Sequence, residues 1–326
     1  MTKPTFADIA QTVAKHWNGL YSQAAPFIEQ IEEWYGIDYP EAARGPQQRP
    51  RDQGIVSPDT DLTECLANAR SYALPHLHQL AEALDHENAS DLRKVITPSH
   101  EVIVVDVGCA AGALSLFVDR AGFAHYVGID TNHWMRLLAR ATFNKTLNDL
   151  ALVDALGTRA EIGQYGLLVE RLQYSLAHSP GRGTAVQTVT SDRPSFELLD
   201  DIDSLVGWRT FVEQVSKNED LQSPSARPIT ILVVMNHILF QLIDVPRTAQ
   251  TALDHCRDLS GLSGVRAFLL SIEPGTLYKP DRLGTRGFDE MLGQRRLDVR
   301  RFSVRGVASY LTGGNRGEAA VRLISF

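Results

Sequence analysis

Cysteine is scarce in this 326-residue chain: Cys65, Cys109 and Cys256 stand far apart and form neither a Cys-x-x-Cys pair nor an even set. That excludes a cysteine-built zinc or iron–sulfur framework and a disulfide scaffold, and it fits a reducing compartment; no metal is expected. Long apolar runs are also missing. The longest, Ile229–Ile243, is broken by Asn236, His237 and Gln241, and the N-terminal Met1–Asp8 lacks the apolar stretch of a secretory signal, so the expectation is a cytoplasmic protein that does not span a membrane. Glycine (24) and proline (15) stay near ordinary usage, which excludes collagen-like sequence and argues against a largely disordered chain. No internal repeat or low-complexity tract is visible. A hydrophobic content of 44% over this length buries a core without staples. The net charge of −7 weighs mildly against a nucleic-acid partner, although local charge decides phosphate binding more than the sum does.

Residues 1–100 hold eight Lys/Arg against fourteen Asp/Glu and read as a helical cap or lid with a polar, proline-containing stretch from Pro40 to Pro58. Ile9, Val13, His16, Trp17 and Leu20 recur at helical spacing, as do Phe27, Ile28, Ile31, Trp34 and Tyr35, and the segment Leu62–Leu84 repeats the pattern with an interruption at Pro75. From Glu101 onward short β-branched runs alternate with helical patterns, the signature of a parallel sheet covered by helices. The expected strands are Val102–Val107, Tyr126–Ile129, Ala185–Thr190, Ile229–Met235, Val265–Ile272, Val299–Val304 and Ala320–Ile324. Helices are expected over Gly112–Ala121, closed by Gly122, and over Trp134–Leu147. Two helical insertions, about 148–183 and 193–228, interrupt the sheet, with helices near Ile162–Ala177 and Val206–Val215.

The most specific motif is Asp106-Val107-Gly108-Cys109-Ala110-Ala111-Gly112, placed where a buried strand gives way to a helix. Glycines there allow a sharp turn and close approach of a ligand, and the helix N-terminus offers unpaired amides. Eighteen residues after Gly112 the second strand ends in Gly128-Ile129-Asp130, where a carboxylate can accept from both hydroxyls of a ribose. Ser191-Asp192, following the expected third strand, places a further carboxylate that can accept from an adenine amino group. The alternative is structural: Gly108 and Gly112 form a tight connection and Asp130 caps the next helix. A dinucleotide site would instead need Gly-x-Gly-x-x-Gly to carry a pyrophosphate, a spacing this turn lacks. An acid at the start of the turn suits a cationic ligand better.

Asp-x-Gly-x-x-x-Gly followed by Gly-Ile-Asp resembles motifs I and II of the class I S-adenosylmethionine-dependent methyltransferases, over about residues 101–326. The resemblance implies a Rossmann-like α/β fold with a seven-stranded methyltransferase sheet whose last strand is antiparallel. It further implies S-adenosylmethionine as cofactor, with Asp106, Gly108 and Gly112 shaping its methionine side, Asp130 holding the ribose and Asp192 meeting the adenine. Cys109, Ala110, Thr131, Ser191 and Asn236 complete the expected cofactor-binding set. Ala110 departs from the family, which carries a glycine there, as does the long gap between Asp130 and Asp192.

Methyl transfer is an in-line displacement, so alignment and desolvation matter most and a general base is optional. The residues expected to touch the acceptor follow the fourth and fifth strands. Asn236 can hydrogen-bond acceptor or cofactor, His237 can act as base or as a satisfied strand-end residue, and Glu273, held extended by Pro274, can aim into the cleft or remain a loop acid. The Asp/Asn-Pro-Pro-Tyr/Phe motif of adenine-type N-methyltransferases and the Pro-Cys nucleophile of cytosine carbon methylation are both absent. Trp17, Tyr21, Trp34, Tyr35 and Tyr39 read as a lid or as core. Lys279–Arg305, with eight Lys/Arg against four Asp/Glu, reads as an RNA-facing strip or a solvated surface. The expectation is methyl transfer to O or N of a small or medium-sized molecule. RNA or protein acceptors, a non-catalytic cofactor-binding protein and an NAD-dependent oxidoreductase stand as alternatives.

Overall fold

A computed structural model describes residues 4–23, 62–97, 100–144, 195–199, 202, 228–239, 245–274, 283–305 and 318–326. Two helices, α1 (Phe6–Gln23) and α2 (Leu62–Asp85), and a short α3 (Ser90–Val95) precede β1 (Glu101–Val107). Then follow α4 (Ala113–Ala121), β2 (His125–Ile129), α5 (His133–Asn144), β3 (Ser195–Leu199), β4 (Ile229–Asn236), α6 (Val245–Ser260) and β5 (Val265–Pro274). The chain ends with α7 (Leu283–Gln294), β6 (Val299–Arg305) and β7 (Glu318–Ser325).

The seven strands form one sheet in the order β3-β2-β1-β4-β5-β7-β6. Neighbours from β3 to β5 pair in parallel, and β7 runs antiparallel to both β5 and β6. The β-branched runs of β1 and β4 are buried on both faces, as central parallel strands require. Val102 and Val104 point into a cluster with α1, α2, α4 and α5, whereas Ile103, Val105 and Val107 point into one with α6 and α7. The helices before β1 therefore belong to one layer of the sheet. Trp17 is buried in that layer, Phe6 meets Phe117 with ring centroids 5.9 Å apart, and the Asp85 carboxylate accepts the first amides of α1 from Phe6 (3.2 Å) and Ala7 (2.8 Å). Trp34, Tyr35, Tyr39 and the side chain of Tyr21 lie outside the described residues.

Two expectations need correction. The strand beside β2 is Ser195–Leu199, inside the stretch read as the second insertion, and the expected Ala185–Thr190 lies outside the described residues. Among the described residues this strand pairs with β2 alone, and Ser-Phe-Glu-Leu-Leu has no β-branched residue, unlike Ala185–Thr190, so its composition gives a weaker strand signal. Pro75 also fails to interrupt the second helix, and α2 runs through it. The expected helices near 162–177 and 206–215 lie outside the described residues, while Gly122 closes α4 in the left-handed conformation as expected (φ 73°).

Candidate functional site

After β1 the chain passes to α4 on one face of the sheet; after the neighbouring β4 it passes to α6 on the other. The crevice beyond the carboxyl ends of these two strands is thus the topological switch point, where ligands of open α/β sheets bind. Two loops border it, 108–112 and 237–239.

The first loop turns through three residues with positive φ: Gly108 (74°), Ala110 (46°) and Gly112 (75°). Gly108 N–H and Cys109 N–H both donate to Ile129 O (2.8 and 2.9 Å), which fastens the turn to β2. A Cβ on Gly108 would lie 2.4 Å from Ile238 Cδ1, and one on Gly112 would lie 2.9 Å from Ala139 Cα and Cβ in α5. Both glycines therefore serve close packing as well as backbone freedom. Alanine at 110 occupies a left-handed torsion that costs an L-residue about 1–2 kcal/mol. Ala110→Gly is accordingly expected to stabilise the fold by up to about 1 kcal/mol after the added entropy of the unfolded chain, measured by denaturant unfolding; a less stable variant would refute the strain.

Asp130, half-buried at the end of β2, commits both oxygens: Oδ2 accepts Ala110 N–H (3.0 Å) and Oδ1 accepts Asn132 N–H (2.9 Å). Arg136 donates to its carbonyl (2.6 Å), and the cap of α5 is Asn132, whose Oδ1 accepts Met135 N–H (3.0 Å). Each carboxylate oxygen retains a second lone pair for a ligand hydroxyl. Burial raises the Asp130 pKa against the lowering effect of these amides. Asp106 is buried beneath the turn, accepts the Tyr126 hydroxyl (2.9 Å), and is pushed up to about 7, chiefly by burial and further by the charge of Asp130. Because the folded pKa lies above the ordinary value, this group favours folding at acid pH and loses that contribution as pH rises from about 4 through about 7. Asp106→Asn is expected to remove that decline, so its stability relative to wild type should improve from pH 4 to pH 8; parallel pH profiles would contradict it.

Cys109 turns its thiol into the sheet beside Gly128, where a Cβ would meet Cys109 Sγ at 2.9 Å. Burial and the charges of Asp130 and Asp106 push that thiol well above its ordinary range, so Cys109 serves the turn through its backbone and not as a nucleophile. The glycine of Gly-Ile-Asp thus has a packing reason that sequence alone does not reveal.

At the end of β4 Asn236 donates from Nδ2 to His76 O of α2 (3.0 Å), and its Oδ1 is buried with no hydrogen-bond partner among the described residues. His237 sits at φ 57°, stacks on His76 with centroids 4.0 Å apart, and places Nε2 2.5 Å from Gln79 Oε1. Burial, with the nearby His76, drives the His237 pKa well below its usual value, and burial lowers His76 to about 4. An imidazole so resistant to protonation is poorly matched to general-base work near neutrality. Glu273 is fully buried, and its Oε1 accepts Ile238 N–H (3.2 Å) and Leu239 N–H (2.9 Å). The expectation that its carboxylate aims into the cleft gives way to one in which it grips the neighbouring loop.

An antiparallel β7 between β5 and β6 separates this sheet from the all-parallel 3-2-1-4-5-6 order of dinucleotide-binding folds. The chain has the class I methyltransferase fold. Among solved structures it is similar to the plantazolicin methyltransferase BpumL in complex with S-adenosylhomocysteine (11% identity, 96% of this chain and 98% of that chain, TM-score 0.35). It is also similar to a putative RNA methyltransferase from Pyrococcus horikoshii (11%, 87% and 93%, 0.34) and to a precorrin-8w decarboxylase from Methanobacterium thermoautotrophicum (16%, 72% and 87%, 0.30). No protein-family model matches the chain, and no curated protein matches it. At such identities neither reaction nor substrate carries over, and the fold stands on the strand order itself.

Within the methyltransferase sheet the two loops bring Asp106, Gly108, Cys109, Ala110, Gly112, Asp130, Asn236 and His237 together, with Thr131 exposed at the rim. Ser191 and Asp192 lie outside the described residues and precede β3, so the premise that they follow the third strand falls. The acids that do follow β3 in the chain are Asp200 and Asp201, which sequence reading passed over. Gln79 and His76 were also missed, since only the packing of α2 places them at the site. Four arginines of this strip are paired, Arg286 with Glu290 (3.2 Å), Arg295 with Asp254 (2.6 Å), Arg301 with Asp289 (3.5 Å), and Arg300 with Asp91, while Lys279 and Arg282 lie outside the described residues. No helix among the described residues is long and apolar enough to cross a membrane.

Proposed function

We propose that this chain is an S-adenosylmethionine-dependent methyltransferase that methylates an oxygen or nitrogen of a small or medium-sized molecule. The observation that carries the reading is the set of groups at the switch point of a methyltransferase-ordered sheet: Asp106, Asp130 and the unpartnered Asn236 Oδ1 are all hydrogen-bond acceptors. Acceptors of this kind fit a cationic ligand with hydroxyl and amino donors and repel a pyrophosphate, which disfavours NAD. S-adenosylmethionine supplies a sulfonium-activated methyl group. Asp130 would hold the ribose hydroxyls, the 108–112 turn and Asp106 would border the methionine portion, and the 237–239 loop would roof the crevice and exclude water. The pairing of Arg286, Arg295, Arg300 and Arg301 with carboxylates supports a small acceptor over RNA.

A second reading, cofactor binding without turnover, draws on one observation: His237 and Glu273 are both engaged by the protein, which leaves neither poised as a base. Calorimetry with S-adenosylmethionine, S-adenosylhomocysteine and NAD tests the cofactor assignment. Binding of the first two without NAD is expected, and NAD binding alone would overturn it. Methyl release from labelled cofactor across an acceptor panel then separates the enzyme from the binding protein.

A further inference from the structure

We infer that Glu273 is a positioning residue that clamps the roof of the cofactor crevice. Glu273 lies at the end of β5, paired in register with Ala320 of β7, and its side chain has no solvent exposure. One carboxylate oxygen reaches across to the loop after β4 and accepts two consecutive amides, Ile238 N–H and Leu239 N–H. That loop needs holding, because His237 at its start adopts a left-handed torsion disfavoured for an L-residue. Further fasteners are His237 N–H to Ile272 O (2.7 Å) and the ring nitrogen beside Gln79. Fixed in this way, the loop sets Ile238 Cδ1 against Gly108, closer than any side chain at 108 would permit.

The other wall of the crevice is built on the same plan. Asp130, at the end of β2, accepts Ala110 N–H from the loop after β1, and Ala110 again has a left-handed torsion. On each side a carboxylate from the outer strand grips the loop of the inner strand, and each gripped loop carries a strained non-glycine residue. Non-glycine residues in that region persist only where surrounding contacts over-determine them. The separation of the two loops, and so the fit of a ligand between them, is set by these two carboxylates.

The inference rests on the cofactor reading for what the crevice binds, and its test separates the two. Glu273→Gln, Glu273→Asp and Glu273→Ala would be compared with wild type by calorimetry with S-adenosylhomocysteine and by hydrogen exchange at the amides of 237–239, folding being checked by circular dichroism. Glutamine offers an amide oxygen to the same two amides and is expected to stay within about threefold of wild-type affinity. Aspartate keeps the carboxyl group but is too short to reach both, so it and alanine are expected to weaken binding at least about tenfold and to quicken exchange at Ile238 and Leu239 while β5 and β7 stay protected. If alanine fails to fold, aspartate carries the test. A folded Glu273→Asp with unchanged affinity and unchanged exchange overturns the clamp, as does faster exchange spread evenly over β5 and β7. If no form of the protein, wild type included, binds S-adenosylhomocysteine, the cofactor reading fails and the exchange measurement alone decides the clamp.

Discussion

Asp130→Ala is expected to weaken S-adenosylhomocysteine at least about tenfold and to lower the melting temperature, because in the proposed site the same two oxygens serve turn and ligand. Removing the carboxylate leaves Ala110 N–H and Asn132 N–H without their acceptors. Hydrogen bonds to a charged group contribute about 1.5–3 kcal/mol each, and buried donors left unpaired carry a desolvation cost besides. The turn keeps its Gly108 and Cys109 bonds to Ile129 O but loses the one that holds Ala110 in its left-handed torsion, so residue 110 is expected to relax away from the proposed ligand as well as the ribose contact being lost. Asp130→Asn should behave nearly as badly: its amide nitrogen would face one of the two N–H groups, donor against donor. Calorimetry and thermal melts on both variants check the argument. A lowered melting temperature with unchanged affinity would reduce Asp130 to a structural tie, and no change in either would remove it from the site.

How much of this was legible beforehand depended on the range of the interactions involved. The β-branched runs of β1 and β4 and the apolar run of β5 announce themselves because a central parallel strand buries both faces whatever lies elsewhere in the chain. β3 does not, since a strand that among the described residues pairs with β2 alone is recognised by its partner and not by its own composition. The glycine turn and Asp130 were legible as a local motif eighteen residues apart. The torsion of Ala110 was not, because alanine gives no sign of a left-handed backbone such as its φ of 46°. His237 and Glu273 were placed correctly at the ends of β4 and β5, yet their roles rest on partners 158 and 34 or 35 residues away in sequence. Charge shows the same limit. Eight cations between Lys279 and Arg305 can be counted from sequence, but only the fold shows Asp254, Asp289 and Asp91 set against them.

The largest loss of stability is expected from Asp289→Ala, well beyond that from Arg322→Met. Arg322, in β7 between β5 and β6, is fully buried and pairs in bidentate fashion with Asp289 of α7, Nε to Oδ1 at 2.7 Å and Nη2 to Oδ2 at 2.6 Å. Its Nη1 is buried without any partner, so the guanidinium already carries one unmet demand. Removing Asp289 leaves a buried cation whose remaining nitrogens are also unpaired, a change that costs about 3–5 kcal/mol in comparable pairs. Removing the cation instead leaves Asp289 at 27% side-chain exposure beside Arg301, 3.5 Å away, where solvent and a second guanidinium can satisfy it. Methionine fills much of the arginine volume in the apolar layer with Phe288 and Leu292, so its net effect should be small or favourable. Denaturant unfolding of both variants gives the comparison, and equal losses would mean that packing around residue 322 outweighs the unpaired charge. Among the described residues Asp289 accepts from Arg322 and pairs with Arg301 and makes no hydrogen bond to the 108–112 or 237–239 loops, so the S-adenosylhomocysteine affinity of folded Asp289→Ala should stay within about threefold of wild type, which sets this pair apart from Asp130.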